Sequence, residues 1–598
     1  MIDWHYDEET RTLYFEGEGR LEHTPCTSDE DHEFRLCEWE GYEPTYGIWP
    51  WGDSDPRRIV IGHGITSVGA LALLGMENVE SIHLSDTVRY VEPSAFSSLK
   101  RLMEFDVHPD NAYLSVRNGS LTDIEGTVLL AYARGTPQEH YDVPHGIVRL
   151  EDCSFRCCEL RSITFPDTLV EIGECAFDNC SSLESVTIPN SVRRISEKAF
   201  GFSGVRSVEF GTGLERLERY AFQYCSELFD VVLPETLERI DDFAFHNCMD
   251  LRYVHLPSGL CSIGTGVFDG CHSLRGIRIP RDLTELGDGA FGECKDLEHI
   301  DVERGNTSFT IVDGVLYDSS MTRLVRVPPT YGSKTFHVPE SVTSVDAYAF
   351  DHCHMLERIS IHDGVTYIGC YAFNECRNLL MIELPKNLKR LENGLFDHCL
   401  KLKDVSIPNG VGSIGMFAFY SCISLRTLRL PPSVSVLEEH AFYGCMNLME
   451  LCIEGSIETF PSGVFGYCAF TELPVCDGLR TIGDGAFEMC SKLKDVHIPE
   501  GVVSIDRYAF HKCEGITSLY LPDSLRTLIG FAFLNDVSLR KISLPSSMDL
   551  VDDDVFEGCS SIEEVIVRDR EDDGSPNGRM RLSWNADSGW KTSPIGPE

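Results

Sequence analysis

Basic residues are scarce: 51 Lys plus Arg stand against 95 Asp plus Glu in 598 residues, a formal charge of −44. A field of that sign repels phosphate backbones and anionic headgroups, so nucleic acid is excluded as a partner and membrane insertion is not expected. No apolar run approaches the roughly 18 residues that cross a bilayer. The opening Met1-Ile-Asp-Trp-His-Tyr has neither the basic nor the apolar part of a secretory signal, and Trp590 to Glu598 shows no sorting or anchoring pattern. Read literally, that places the chain in the cytoplasm. Catalytic signatures are missing too: there is no G-x-S-x-G, H-E-x-x-H or P-loop, and no nucleophile, base and orienting group assemble from spacing, so an enzyme is not expected. What is present in ordinary amounts is core-forming material, 42% apolar and 10% aromatic, which excludes wholesale disorder.

Length alone suggests about three to five domains. A repeat overrides that. Phe recurs at Phe177, Phe200, Phe222, Phe245, Phe268 and Phe291, then at Phe350, Phe373, Phe396, Phe419, Phe442, Phe465, Phe487, Phe510, Phe533 and Phe556, in steps of 22 or 23. A fixed period of that length signals a stack, here about nineteen copies. The frame is seen in Leu169-Val-Glu-Ile-Gly-Glu-Cys-Ala-Phe177-Asp-Asn-Cys180-Ser-Ser-Leu183-Glu-Ser-Val186-Thr-Ile188-Pro189. Leu183, Val186 and Ile188 form L-x-x-L-x-L, whose end alternates as a strand with one buried face does. Each rung therefore offers one short parallel strand. Pro follows at Pro166, Pro189, Pro234, Pro257 and later equivalents, and without an N–H it ends the ladder. Apolar pairs such as Val192/Ile195 line the return, and Ala-Phe-x-x-Cys reads as one helical turn with Phe inward.

Two interruptions match each other. Phe96 to Phe155 and Phe291 to Phe350 are each 59 residues, and at an offset of 195, Asn111, Gly119, Leu121, Asp123, Thr127 and Leu129 correspond to Asn306, Gly314, Leu316, Asp318, Thr322 and Leu324. Each reads as a β-hairpin island projecting from the stack, and such insertions often mark a binding side. All six Trp, at 4, 39, 49, 51, 584 and 590, fall outside the frame, as suits caps that cover an edge strand. The organisation expected is a cap over 1–57 with Thr27 to Glu33 an exposed loop, first repeats over 58–107 with Leu73 in the Phe slot, and an island over 108–144. Repeats over 145–302, an island over 303–339, repeats over 340–567 and a partial cap or loose tail over 568–598 complete it.

The frame Ile-Gly-x-x-Ala-Phe-x-x-Cys-x-x-Leu-x-x-Val-x-Ile-Pro resembles the BspA-like leucine-rich repeat family over roughly residues 59–567, and Leu13 to Gly19, Trp49-Pro-Trp51 and Ile59 to Ile65 resemble its cap. The resemblance implies a right-handed leucine-rich-repeat superhelix with short parallel concave strands and one-turn helices or irregular chain on the convex side. It also implies a surface or secreted protein that binds host or neighbouring-cell proteins.

Fifteen of the 24 Cys share one slot, three after Phe, among them Cys158, Cys180, Cys225, Cys248, Cys353, Cys490 and Cys559; other rungs put Leu99, Ser203 and Asp536 there. Cys behaves as a small buried hydrophobe, so a core ladder of free thiols is expected, parallel Cβ vectors opposing bridges. Metal ligation is not expected: Cys153/Cys157/Cys158 and His352-Cys353-His354 lack the paired spacing zinc prefers. No cofactor is expected either. Gly287-Asp-Gly289-Ala-Phe-Gly292 matches a dinucleotide fingerprint only because the repeat generates it, and the run Asp569 to Gly574 lacks the closing Glu of a calcium loop, with Met580 in its place.

One column refuses to repeat. The outward residue between the two buried strand positions runs Thr164, Thr187, Glu209, Val232, His255, Arg278, Asp301, Ser360, Glu383, Ser406, Arg429, Cys452, Pro474, His497, Tyr520, Ser543 and Ile566. Stacking does not dictate these side chains. A non-catalytic protein-binding or adhesion scaffold using Thr164, Thr187, Glu209, His255, Arg278, Asp301, Glu383, Arg429, His497 and Tyr520 is the function expected; a glycan-binding solenoid is the alternative.

Overall fold

The computed structural model describes residues 2–22, 54–70, 72–545, 550–551, 554–568, 580–585 and 589–594. They wind into a parallel β-solenoid of about 22 turns. Two compact units divide it, Met1–Cys294 with Glu303–Asn306, and Lys295–Val302 with Thr307–Glu598.

Nearly every described rung holds two strands rather than the single one expected. The Val-x-Ile part forms the first, as in Ser185–Thr187, and the Ile of the return path forms a second, as in Arg194–Ile195. In the first unit the first strands from His140–Asp142 to Gly276–Ile279 make one parallel sheet, and the second strands from Arg149–Leu150 to Glu285–Leu286 another. Register stacks like on like: Val186 pairs with Ile163 and Val208, Ile195 with Ile172 and Leu217. A one-residue slip would turn every apolar side chain outward, so burial fixes the register. Between the strands the carbonyl of Pro189 accepts the Val192 amide at 3.2 Å, and Pro234, Pro408 and Pro499 do likewise. Proline thus closes the turn it starts.

The helical turn expected around Phe is absent, and no helix occurs among the described residues. Alternate amides point in two directions instead. Those of Cys175, Phe177 and Asn179 donate to the carbonyls of Glu197, Ala199 and Gly201 on the next rung at 2.7 to 3.0 Å, while Ala176, Asp178 and Cys180 donate three residues back. A helix would direct every N–H along its own axis and leave none for the neighbouring rung. The alternation requires a left-handed residue every fourth position, here Cys175 (φ 52) and Asn179 (φ 59). Such a conformation costs an L-residue about 1–2 kcal/mol, which the inter-rung bonds offset. Where Gly fills the position, as at Gly266 (φ 58), the Phe243 ring of the rung before lies where a Cβ would stand.

Phe fills the interior. Phe155, Phe177, Phe200 and Phe222 stack at successive centroid distances of 5.0 Å, and Phe510 stacks on Phe533 at 5.0 Å in the second unit. Leu73, in the Phe slot of an early rung, is fully buried.

The islands do not project. Leu114–Arg117, Ser120–Asp123 and Val128–Ala131 form an antiparallel meander, and the third strand then pairs in parallel with Arg149–Leu150. Phe309–Val312, Val315–Asp318 and Arg323–Arg326 repeat this, the last pairing with Ser344–Val345. Each island therefore substitutes for a rung. At the N-terminus Ile2–Asp7 runs antiparallel to Thr12–Gly17, which pairs in parallel with Arg58–Ile61. These extra turns raise the count above the nineteen read from the frame. Met580–Asn585 and Gly589–Pro594 form a hairpin that places Trp584 opposite Trp590. The loop expected at Thr27 to Glu33, the residues Trp39, Trp49 and Trp51, and the acidic run Asp569 to Gly574 lie outside the described residues.

Candidate binding face

In most first strands the central residue is buried and the residues on either side of it face out, as Ser185 and Thr187 do around Val186. In the first unit this aligns the non-repeating column into a continuous row. Thr164 pairs with Asp142 and its hydroxyl lies 3.3 Å from His140 Nε2; Thr187 pairs with Glu209 and donates to its carboxylate at 3.3 Å. His140 and Thr164 hold the Asp142 carboxyl below its ordinary range. Val232 pairs with His255, and Arg278 lies 3.7 Å from Glu303. The side chains of Thr164, Thr187, Glu209, His255 and Arg278 are exposed.

At the middle of this row apolar groups gather. Val232 is 66% exposed, Tyr253 54%, Phe229 41% and Met249 40%, all on two adjoining rungs. The Arg252 guanidinium sits over the Phe229 ring at 4.3 Å from its centroid, and Tyr253 is opposite Gly276, which leaves the far side of the Tyr ring uncovered by a side chain. Tyr, Phe and Arg together are the residue types that anchor interfaces, and solvent-facing apolar groups in a cluster mark association sites. The sequence column contained Val232 and His255 but not Tyr253, on the same strand as His255, or Phe229, which immediately precedes the strand Asp230–Val232. Reading both outward positions of each strand would have found Tyr253, whereas Phe229 lies one residue outside its strand.

In the second unit the column divides. Asp301 is exposed on the strand His299–Val302, and Glu383 is exposed opposite Ser360. Arg429 is committed to Glu454 through two bonds of 2.7 and 2.8 Å. Pro474 departs from the expectation: it is buried, in a rung without a first strand, and its neighbour Val475 takes the exposed place at 62%. His497, Tyr520, Ser543 and Ile566 come together in register, and the His497 and Tyr520 rings stack at 5.6 Å. With Lys541 and Ile542 they line a depression of about 160 Å³.

The thiol column is buried as the slot predicts, and none of the described cysteines is bridged. Its hydrogen bonding was not legible in sequence. Most thiols of the column donate to the carbonyl of the Phe one rung back: Cys180 to Phe155 at 3.1 Å, Cys248 to Phe222 at 3.2 Å, Cys445 to Phe419 at 3.1 Å and Cys490 to Phe465 at 3.1 Å. Burial pushes the Cys445 and Cys490 thiols up to about 12, so they keep the proton they donate. Cys353 is one of this column and donates towards the Val327 carbonyl at 3.6 Å, whereas His352 faces Asp351 at 2.7 Å. The His352 and His354 rings meet edge to face at 5.5 Å, while the Cys353 thiol is turned into the buried column. Gly287, Gly289 and Gly292 lie in the same turn segment as in every rung, with no helix after them.

The sequence pattern of the BspA type leucine rich repeat region matches six times, over residues 54–122, 131–231, 215–330, 330–449, 389–472 and 458–572. Among solved structures, a leucine rich cell surface protein of Faecalibacterium prausnitzii is similar at 30% identity over 57% of this chain and 95% of its own, with a TM-score of 0.50. The pneumococcal vaccine antigen PcpA is similar at 22% identity over 70% of this chain and 94% of its own, TM-score 0.42. A leucine-rich repeat protein of Bacteroides ovatus covers 95% of this chain and 98% of its own at 18% identity, TM-score 0.32. No curated protein matches the chain. Proteins built of this repeat are in general non-catalytic scaffolds that bind other proteins. With matched segments spanning most of its length and the frame recurring rung after rung, the chain belongs to the BspA type leucine-rich repeat family.

Proposed function

We propose that the chain is a non-catalytic adhesion scaffold that docks a protein of a host or neighbouring-cell surface on the first-strand face of its first unit. The observation that carries this is the exposed cluster of Phe229, Val232, Met249 and Tyr253, with Arg252 over Phe229, in the middle of the row Thr164, Thr187, Glu209, His255 and Arg278. Stacking does not require these side chains to be apolar, since equivalent outward positions on other rungs hold polar or charged residues such as Thr187, Ser207, Glu209, Arg278 and Asp404. The cell-surface character of the Faecalibacterium protein supports the choice of partner class. Binding of the full chain to panels of host matrix proteins and neighbouring-cell surface proteins, measured by surface plasmon resonance, tests it. Tyr253→Ala should weaken binding tenfold or more, the loss expected of an interface anchor, while leaving the melting temperature unchanged. A blank panel, or an affinity indifferent to Tyr253→Ala and Phe229→Ala, would sink the reading.

A second reading rests on the second unit. The depression at His497, Tyr520 and Ser543 combines stacked rings with hydroxyls, an arrangement suited to one face of a sugar ring. Glycan-array binding abolished by Tyr520→Ala and His497→Ala, with protein binding intact, would favour it; an array without signal removes it.

A further inference from the structure

Asp536 stands in the slot three after Phe533, which Cys513 and Cys559 fill on the rungs before and after it. Its side chain is 0% exposed and neither carboxyl oxygen has a hydrogen-bond partner. A buried carboxylate without a cation or donors is among the most costly groups a core can hold. The ladder itself supplies the resolution. In this slot Cys513 donates its thiol proton to the Phe487 carbonyl at 3.0 Å, and Cys559 donates to the Phe533 carbonyl at 3.0 Å. The same register sets the tip of Asp536 towards the Phe510 carbonyl, which accepts the Cys513 amide at 3.1 Å. An ionised carboxylate would bring lone pairs against that oxygen; a protonated one has an O–H to give.

We propose that Asp536 is a resident carboxylic acid, protonated at neutral pH and donating to Phe510, so that folding of the C-terminal rungs takes up a proton. Its surroundings on balance oppose ionisation, the Cys513 backbone amide alone favouring the charged form. Burial is the chief influence, driving the carboxyl well above its ordinary range, and Glu514 adds to it. The adjoining thiols of Cys513 and Cys559 are raised chiefly by the same burial, and neither offers positive charge. The sign of the effect follows. Below the unfolded value of about 3.9 both states hold the proton and the stabilisation is complete. Above it only the folded state does, so opening of this end becomes about tenfold more favourable per pH unit until the pH passes the folded-state value. The same rung carries Lys541–Pro545, part of the wall of the His497 and Tyr520 depression.

Hydrogen exchange of the full chain between pH 5 and 8, corrected for intrinsic rates and read over residues 510–559, tests this. The wild type should lose protection by up to tenfold per unit. Asp536→Cys, which restores the residue of the column, and Asp536→Asn, which donates without ionising, should flatten the profile and be more protected than wild type at pH 7.5. The difference infrared spectrum of wild type minus Asp536→Asn at pH 7 should contain the carbonyl stretch of a protonated carboxyl. A carboxylate band in its place, or a slope that persists in both variants, overturns the proposal. So does an Asp536→Cys variant less protected than wild type at pH 7.5.

Discussion

The two islands are copies of one device that have diverged inside a single chain. In both, an Asn closes the entry: Asn111 donates to the Ser85 and Val88 carbonyls at 2.7 and 2.9 Å, and Asn306 to those of Pro280 and Leu283 at 2.7 and 3.1 Å. In both, an Asp clasps the second turn: Asp123 accepts from the Thr127 and Val128 amides, Asp318 from those of Thr322 and Arg323. Elsewhere they differ in matched sets. The first island buries a hydrogen bond of 2.6 Å between Ser120 and Tyr141; the second has Val315 and Phe336 in those places. In the first, Arg156 meets the buried Asp178 at 2.9 Å across adjoining rungs; in the second, Asp351 takes the place of Arg156, and Arg326 enters from the island strand where the first island has Ala131. Asn374 and His352 also bond Asp351. Polar groups that satisfy backbone stay fixed, whereas polar groups that satisfy one another are gained and lost together, because removing one alone leaves the other buried without a partner.

That contrast can be broken by mutation. The largest effect is expected from Arg326→Ala, which leaves Asp351 fully buried without its cation and should cost about 3–5 kcal/mol of unfolding free energy. Denaturant titration measures it; a cost below about 1 kcal/mol would mean the ion pair is incidental. Next is Asn111→Ala. Its amide serves four buried backbone groups, so about 2–4 kcal/mol should be lost, more than for the half-buried Asn306→Ala. Equal costs would show that burial does not set the difference. Third, Tyr141→Phe should cost about 1–2 kcal/mol by stranding Ser120, and the double change with Ser120→Val, which copies the second island, should recover most of it. A double-mutant cycle without coupling would refute the matched-set reading.

The smallest effect concerns acid. Burial opposes ionisation of Asp123, but hydrogen bonds from Thr127 and Val128 outweigh it and hold the carboxyl below its ordinary range; Asp318 behaves likewise, with Ser320, Arg323 and Thr322 donating. A depressed carboxyl contributes stability that is present above the unfolded value of about 3.9 and lost as pH falls through the folded value. Both islands should therefore loosen together below about pH 4. Hydrogen exchange at the Thr127 and Thr322 amides reads this directly, and Asp123→Asn should remove the pH dependence from the first island alone.

The repeat, the buried Phe and Cys columns and the outward row were legible in sequence because a stack places equivalent residues in equivalent surroundings. What escaped, beyond the first-strand ladder, was where the remaining backbone groups of one rung are satisfied by the next. Alternation of the amides around Phe177 replaces the expected helix, yet no residue type announces it: Cys175, Tyr220, Phe243 and Tyr348 all accept the left-handed conformation there. The return path reads as loop because its second strands contain only two residues, too few to establish a period. The islands read as insertions of the kind that mark a binding side, whereas their Asn111 and Asn306 side chains serve backbone carbonyls of the preceding rung. Asp536 reads in sequence only as a departure from the thiol column; its burial and its missing side-chain partners are properties of the fold.

The sequence by itself determined that this chain stacks, with what period, and which side chains fill its interior, because apolar burial at a 22- to 23-residue spacing admits no other economical arrangement. Only the tertiary structure decided where the remaining backbone hydrogen bonds go, that the islands replace rungs, and that Phe229, Val232 and Tyr253 share one exposed surface. Those outcomes depend on which groups of separate rungs come within reach of each other, and that distance is a property of the stack and of no single repeat.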